Sequence, residues 1–146
     1  PDALDLSGQS GGVAGARSAA FCAVHDDRGG YRIGLLAAFG ASTQCEAQGR
    51  AELDGETVRL TLTNGGGTVT SRDSSADCVV DARFDGDVLQ LAGQVPEACA
   101  RYCSPRASLA GAAFVRESDG DAAALEAEGR AIGRLCPDLQ DAEQPG

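Results

Sequence analysis

AELDGETVRL, running from Ala51 to Leu60, is the stretch whose reading decides the fold. Apolar and polar residues alternate on both sides of Asp54-Gly55, so each flank has one dry and one wet face, as in an antiparallel hairpin. The same ten-residue design returns without a gap as ARFDGDVLQL, Ala82 to Leu91. Leu53 matches Phe84, Asp54-Gly55 matches Asp85-Gly86, Val58 matches Leu89 and Leu60 matches Leu91. Asp-Gly suits a two-residue type I′ turn, whose central residues both need positive φ. With Asp85-Gly86 as that turn, Phe84 is expected opposite Asp87, Ala82 opposite Leu89, Val80 opposite Leu91 and Cys78 opposite Gly93. In the first copy Ala51 then falls opposite Val58 and Gly49 opposite Leu60. The apolar sets of both strands share one face, which a slip of one residue would undo. ASLAGAAFVR, Ala107 to Arg116, is a fainter third copy with Ala-Gly at the turn.

Outward from these repeats the same period continues. TVRLTLT sends Val58, Leu60 and Leu62 one way and its threonines and Arg59 the other. YRIGLLAAF aligns Tyr31, Ile33, Leu35, Ala37 and Phe39, and CVVDARF aligns Cys78, Val80, Ala82 and Phe84. With a strand near Ala20 to His25, joined to the next by the Asp26-Gly30 turn, the count is seven or eight short strands. The fold class is mainly β: a small antiparallel meander closed into a barrel, with a sandwich as the alternative.

After Glu117 the period becomes helical. Ala122, Leu125, Gly129, Ile132 and Cys136 form one stripe, Ser118 or Asp119 can cap it, and Pro137 ends it, so one C-terminal helix over about 119–136 is expected against the sheet. Ser7 to Ser18 is rich in glycine and serine and shows no apolar period. Residues 1–18 therefore read as a flexible arm, 19–137 as a single domain and 138–146 as an acidic tail.

The chain has 146 residues, 20 glycines, no Trp or Met, and only 4% aromatics, so its core is thin and covalent bracing would help. Six cysteines supply it: Cys22, Cys45, Cys78, Cys99, Cys103 and Cys136. Only Cys99 and Cys103 are close in sequence and His25 is the sole histidine, which disfavours zinc and favours three disulfides in an oxidising compartment. A bridge within CARYC (Cys99 to Cys103) would remove little chain entropy. Each of its cysteines is thus expected to reach a distant partner, one Cys136 and the other Cys78, leaving Cys22 with Cys45. The Pro1 start and lack of Met suggest a processed chain, with the glycine-serine stretch as a spacer should an upstream lipid anchor exist. The longest apolar run is too short to cross a bilayer as a helix.

The formal charge is −10, from 22 acids and 12 bases, all of the latter arginine. We read the missing lysine as the codon bias of a GC-rich bacterial genome. Nucleic acid and anionic membrane surfaces are disfavoured as partners, because both demand concentrated positive charge.

Three candidate sites follow. The turn-rich segment around CARYC gathers Arg101, Tyr102 and Arg106, residue types that anchor protein interfaces, on a cysteine-tethered loop that would lose little entropy on binding. Packing of Tyr102 on the barrel end is the structural alternative. Cys99 and Cys103 could form a thiol redox pair, although three intervening residues and the lack of a βαβ context argue against it. His25, followed by Asp26 and Asp27, could serve a hydrolase, but no nucleophile elbow accompanies it. Glu117 to Glu128 fails the calcium-loop pattern, since Ala122 stands where glycine is required.

The expectation is a non-enzymatic, secreted or periplasmic binding module of a bacterial envelope, meeting another protein through the Arg101 to Arg106 loop. It needs no cofactor and no metal. The alternatives are a carrier of a small apolar ligand within the barrel, and an enzyme or thiol redox protein using His25 or Cys99 and Cys103. The general plan resembles that of lipocalin-like carriers and of bacterial inhibitors of lysozymes or proteases, as an analogy of fold alone.

Overall fold

The computed structural model describes residues 4–12, 18–26, 29–38, 43–65, 78–104, 107–127 and 135–136. They form a closed barrel of eight antiparallel strands in sequence order: β1 (Gly8–Gly12), β2 (Ser18–His25), β3 (Tyr31–Ala38), β4 (Gln44–Asp54), β5 (Thr57–Gly65), β6 (Cys78–Phe84), β7 (Val88–Leu91) and β8 (Ala113–Asp119). A 3-10 turn, Glu97–Tyr102, stands between β7 and β8, and a one-turn helix, α1 (Asp121–Ala124), follows β8. No described helix is long and apolar enough to cross a membrane.

The alternating residues point as their sequence requires. Val58, Leu60 and Leu62 of β5, Val80, Ala82 and Phe84 of β6, and Leu89 and Leu91 of β7 are all buried in one interior cluster with Phe21, Ile33, Leu35 and Phe114. An eight-stranded barrel is just wide enough to be filled by such side chains.

Both repeats form hairpins, but each register lies two residues from the expected one. Ala82 pairs with Leu91 and Phe84 with Leu89. Asp85 closes the base of the turn: its Oδ1 accepts from the backbone N–H of both Asp87 and Val88 at 2.9 Å, and only Asp85, Gly86 and Asp87 stand between β6 and β7. In the first copy Asp54 pairs with Thr57, Ala51 with Leu60 and Gly49 with Leu62, so Gly55 (φ 62°) is the first loop residue rather than the second. A shift of two preserves the face of every side chain, and the apolar sets remain inside.

The arm expected over residues 1–18 contains β1. Its sequence, GQSGG, has no apolar alternation, yet its backbone pairs with β2 on one side and β8 on the other and so closes the barrel. Glycine admits the neighbours: a Cβ on Gly8 would collide with the Ser118 carbonyl.

The helix is also shorter than its stripe. Only Asp121–Ala124 is α-helical among the described residues. Gly120 at its N-cap offers no side-chain bond. Asp119, where the helix was expected to begin, ends β8, and residues 128–134 lie outside the described residues. The Leu135 N–H donates to the Ala127 carbonyl at 3.1 Å. Ala124, Ala127, Leu135 and Cys136 nevertheless pack outside the barrel on Cys22, Val24, Leu36 and Ala38; of the expected stripe Cys136 is buried and Leu125 partly so, whereas Ala122 is exposed. Phe39, Gly129, Ile132, Pro137 and the tail 138–146 lie outside the described residues.

Candidate functional site

The two ends of the barrel are built differently. At one end the 3-10 turn Glu97–Tyr102 lies across the opening, bracketed by two disulfides, Cys78–Cys99 and Cys45–Cys103. Cys103 also bridges Cys45 through its backbone, and Ser104 continues the contact: its N–H donates to the Gln44 carbonyl at 2.8 Å, and its Oγ accepts from the Gln44 N–H at 2.8 Å. This covers the part of the β4 edge that extends past the last β5 partner, Ala47 opposite Gly65.

The connectivity corrects two of the expected bridges. Cys99 does pair with Cys78, but Cys103 takes Cys45, and Cys22 takes Cys136. Side-chain direction explains it. Cys22 lies on the outer face of β2 with Val24, while Cys45 and Cys78 point into the barrel, so Cys22 and Cys45 are on opposite sides of the wall. Cys99 and Cys103 are not bonded to each other, and all six sulfurs are in bridges.

Tyr102, expected on the display surface, turns inward. It is 5% exposed within the interior cluster and its hydroxyl donates to the Leu62 carbonyl at 3.1 Å, so it plugs the barrel end. The backbone of Arg101 belongs to the same turn, whereas Arg106 lies outside the described residues. Beside the turn is a notch of about 160 Å³ walled by Val95, Pro96, Cys99, Cys103, Ala107 and Leu109. Pro96, Glu97, Ala100 and Ser108 are exposed around it.

The opposite end is closed by the chain preceding β1. Leu6 is buried in the interior cluster with Leu4 packed against it. The Leu6 N–H donates to the Tyr31 hydroxyl at 3.1 Å, and that hydroxyl donates to Asp5 Oδ1 at 3.2 Å. Arg116 points inward over the Phe84 ring, 5.2 Å from its centroid, and donates to the Ser7 carbonyl and, at 2.9 Å, to that of Asp5. Partial desolvation pulls the Asp5 carboxyl up, but hydrogen bonds from Ser7, the charge of His25 and the Tyr31 hydroxyl outweigh it, and the group titrates below its ordinary value. Burial, with the neighbouring Asp5 charge, raises the Tyr31 phenol.

His25 belongs to this closure. Its Nε2 lies 3.0 Å from Asp5 Oδ1 and its Nδ1 2.9 Å from Asp121 Oδ1. Both ring nitrogens thus meet carboxylates, and the ring lies against Tyr31 at 5.1 Å between centroids. The arrangement clasps the N-terminal strap and α1 to the end of β2. Sequence reasoning placed Asp26 and Asp27 near His25. Asp26 instead pairs with Arg50, Asp27 is outside the described residues, and the carboxylates that engage His25 lie 20 and 96 positions away, where no local signal could reveal them. Asp119, expected as a candidate helix cap, ends β8 and meets Arg116 at 3.2 Å.

Among the described residues no group of three or more His, Cys, Asp or Glu is placed to hold a metal ion. Comparisons with protein-family models, with curated proteins and with solved structures found no match to this chain.

Proposed function

We propose that the protein is a non-enzymatic binding module of an oxidising compartment, secreted or periplasmic in a bacterial envelope, that meets a protein partner through the disulfide-braced end around residues 101–106. The observation that carries this reading is the double bracing of the Glu97–Tyr102 turn by Cys78–Cys99 and Cys45–Cys103. A turn held at two points and plugged by Tyr102 loses little freedom on binding, so more of its contact energy is retained as affinity. The adjoining notch has the size of a single side chain and apolar walls, a shape suited to one small apolar anchor of a partner. Three disulfides fit an oxidising location. The filled interior and the closures at both ends favour surface recognition over carriage inside the barrel.

The test is a pull-down from envelope extract with the wild-type chain and with two variants, Arg101→Ala/Arg106→Ala and the notch-filling Ala107→Leu. The reading requires the captured partner to be lost from both variants while their thermal midpoints stay close to wild type. Undiminished capture of every partner by both variants would overturn it.

A further inference from the structure

Asp-Gly occurs three times in the chain, at Asp54-Gly55, Asp85-Gly86 and Asp119-Gly120. It is the aspartyl dipeptide most open to backbone rearrangement, because glycine has no side chain to shield its amide nitrogen from the preceding carboxyl carbon. The nitrogen attacks that carbon, the carboxyl leaves as water, and a five-membered succinimide ring closes. Water then opens the ring at either carbonyl. One opening restores aspartate and the other gives isoaspartate, whose backbone runs through the former side-chain carbons Cβ and Cγ. Mass is conserved and no oxidant or reductant is consumed. Closure needs a carboxyl free to leave as water, which an ionised group held by donors does poorly, and an amide nitrogen that is not already donating.

The fold treats the three pairs differently. At Asp85 the carboxylate is held: its Oδ1 accepts from the Val88 and Asp87 N–H, each at 2.9 Å. These bonds keep the group ionised and titrating below its ordinary value. Gly86 also stands beside the strap, where a Cβ would lie 3.6 Å from Leu4 Cδ2. At Asp119 the nitrogen is held: the Gly120 N–H donates to the Ser7 carbonyl at 3.2 Å, and the carboxylate lies 3.2 Å from Arg116 Nη1. At Asp54 neither group is engaged. Its side chain is exposed and makes no hydrogen bond or ion pair with another described residue, and the Gly55 N–H donates to none of them. The turn has room for the ring, since Gly55 is exposed and a Cβ there would meet nothing within 4 Å.

We infer that Asp54-Gly55 is a site of spontaneous isoaspartate formation in the folded protein, while Asp85-Gly86 and Asp119-Gly120 are protected by the bonds that engage their carboxylate or nitrogen. The change adds one methylene to the backbone at the β4–β5 turn, where Asp54 pairs with Thr57 and the Glu56 carbonyl accepts from the Phe84 N–H at 2.9 Å. Its consequence is loss of the Asp54–Thr57 pairing and fraying of that hairpin tip. Asp54 lies at the opposite end of β4 from Gln44 and Cys45. The site is therefore separate from the proposed protein-binding end, and neither reading depends on the other.

The experiment is peptide mapping of the disulfide-intact chain after incubation below its thermal midpoint at mildly acidic pH, beside the reduced and alkylated chain unfolded in guanidinium chloride. The unfolded chain sets the length of the incubation, which runs until its own isoaspartate is measurable. Cleavage after arginine puts the three pairs in separate peptides, Ala51–Arg59, Phe84–Arg101 and Glu117–Arg130, and electron-transfer fragmentation distinguishes isoaspartate from aspartate. Asn64-Gly65 rearranges through the same ring but changes mass as its amide is lost, so it is read apart. In the folded chain isoaspartate is expected to form at Asp54 at least about fivefold faster than at Asp85 or Asp119, the factor set by the hydrogen bonds those two must first break. In the unfolded chain the three rates are expected to converge. Formation at Asp85 or Asp119 as fast as at Asp54 in the folded chain, or none at Asp54 while the unfolded chain forms it, would overturn the inference. So would a preference for Asp54 that persists on unfolding, because its cause would then be the flanking residues and not the fold.

Discussion

Replacing Cys22 and Cys136 together by Ala removes the bridge that spans most of the chain. Its sequence separation is 114, against 58 for Cys45–Cys103 and 21 for Cys78–Cys99. The loop-closure relation then assigns about 5, 4 and 3 kcal/mol to the three bridges, through the entropy each takes from the unfolded chain. A domain of this kind has a net stability of only about 5–15 kcal/mol, so each loss is large and the first approaches the lower end of the whole. Five of the six cysteines are at most 1% exposed, and making all three variants as paired Cys→Ala changes keeps the lost packing comparable. Guanidinium chloride unfolding followed by far-ultraviolet circular dichroism should rank the midpoints with Cys22→Ala/Cys136→Ala lowest and Cys78→Ala/Cys99→Ala highest. It should also show a steeper denaturant dependence in each variant, because the unbridged unfolded chain exposes more surface. The reverse order would refute the argument: bracing of the Glu97–Tyr102 turn in the native state, and not restriction of the unfolded chain, would then dominate.

Three further outcomes are expected. Tyr102→Phe deletes the donor to the Leu62 carbonyl, which remains inside the barrel end, and should cost about 1–2 kcal/mol by the same unfolding assay while leaving the disulfide map unchanged. Gly34→Ala places a Cβ about 2.8 Å from the Leu135 carbonyl carbon and side chain; it should cost about 1–3 kcal/mol and raise amide exchange at Ala127 and Leu135 before that of the strands. The Asp5 carboxyl titrates lower in the folded chain than unfolded, so its contribution is complete above the unfolded value, near 3.8, and is lost as pH falls through the folded one. Tyrosine fluorescence, from only Tyr31 and Tyr102, should report release of the strap in that acid range, and Asp5→Asn should abolish that part of the pH dependence.

Most strand faces are written locally. Alternation in TVRLTLT or CVVDARF dictates which side chains share a side, because side-chain direction has a period of two wherever the strand ends up. The sequence therefore determined a β meander, its hairpins, its interior residues and the need for covalent bracing in a chain so poor in aromatics. It did not determine register: Asp85 can stand within a turn or precede one and cap it through its own carboxylate, and a shift of two leaves the apolar pattern satisfied either way. It could not announce β1, whose GQSGG is held by backbone bonds to β2 and β8 that exist only once the barrel closes. Nor could it settle the disulfides. In SAAFCAVH both faces of β2 are apolar, one buried by the interior and the other by the C-terminal segment, so nothing local says that Cys22 points outward. The same closure turned Tyr102 from an expected contact residue into a plug and set His25 between Asp5 and Asp121. Such juxtapositions arise from which strands become neighbours and how far they slide, quantities fixed by long-range pairing and by the two ends being sealed, and for which the linear order of residues holds no local signal.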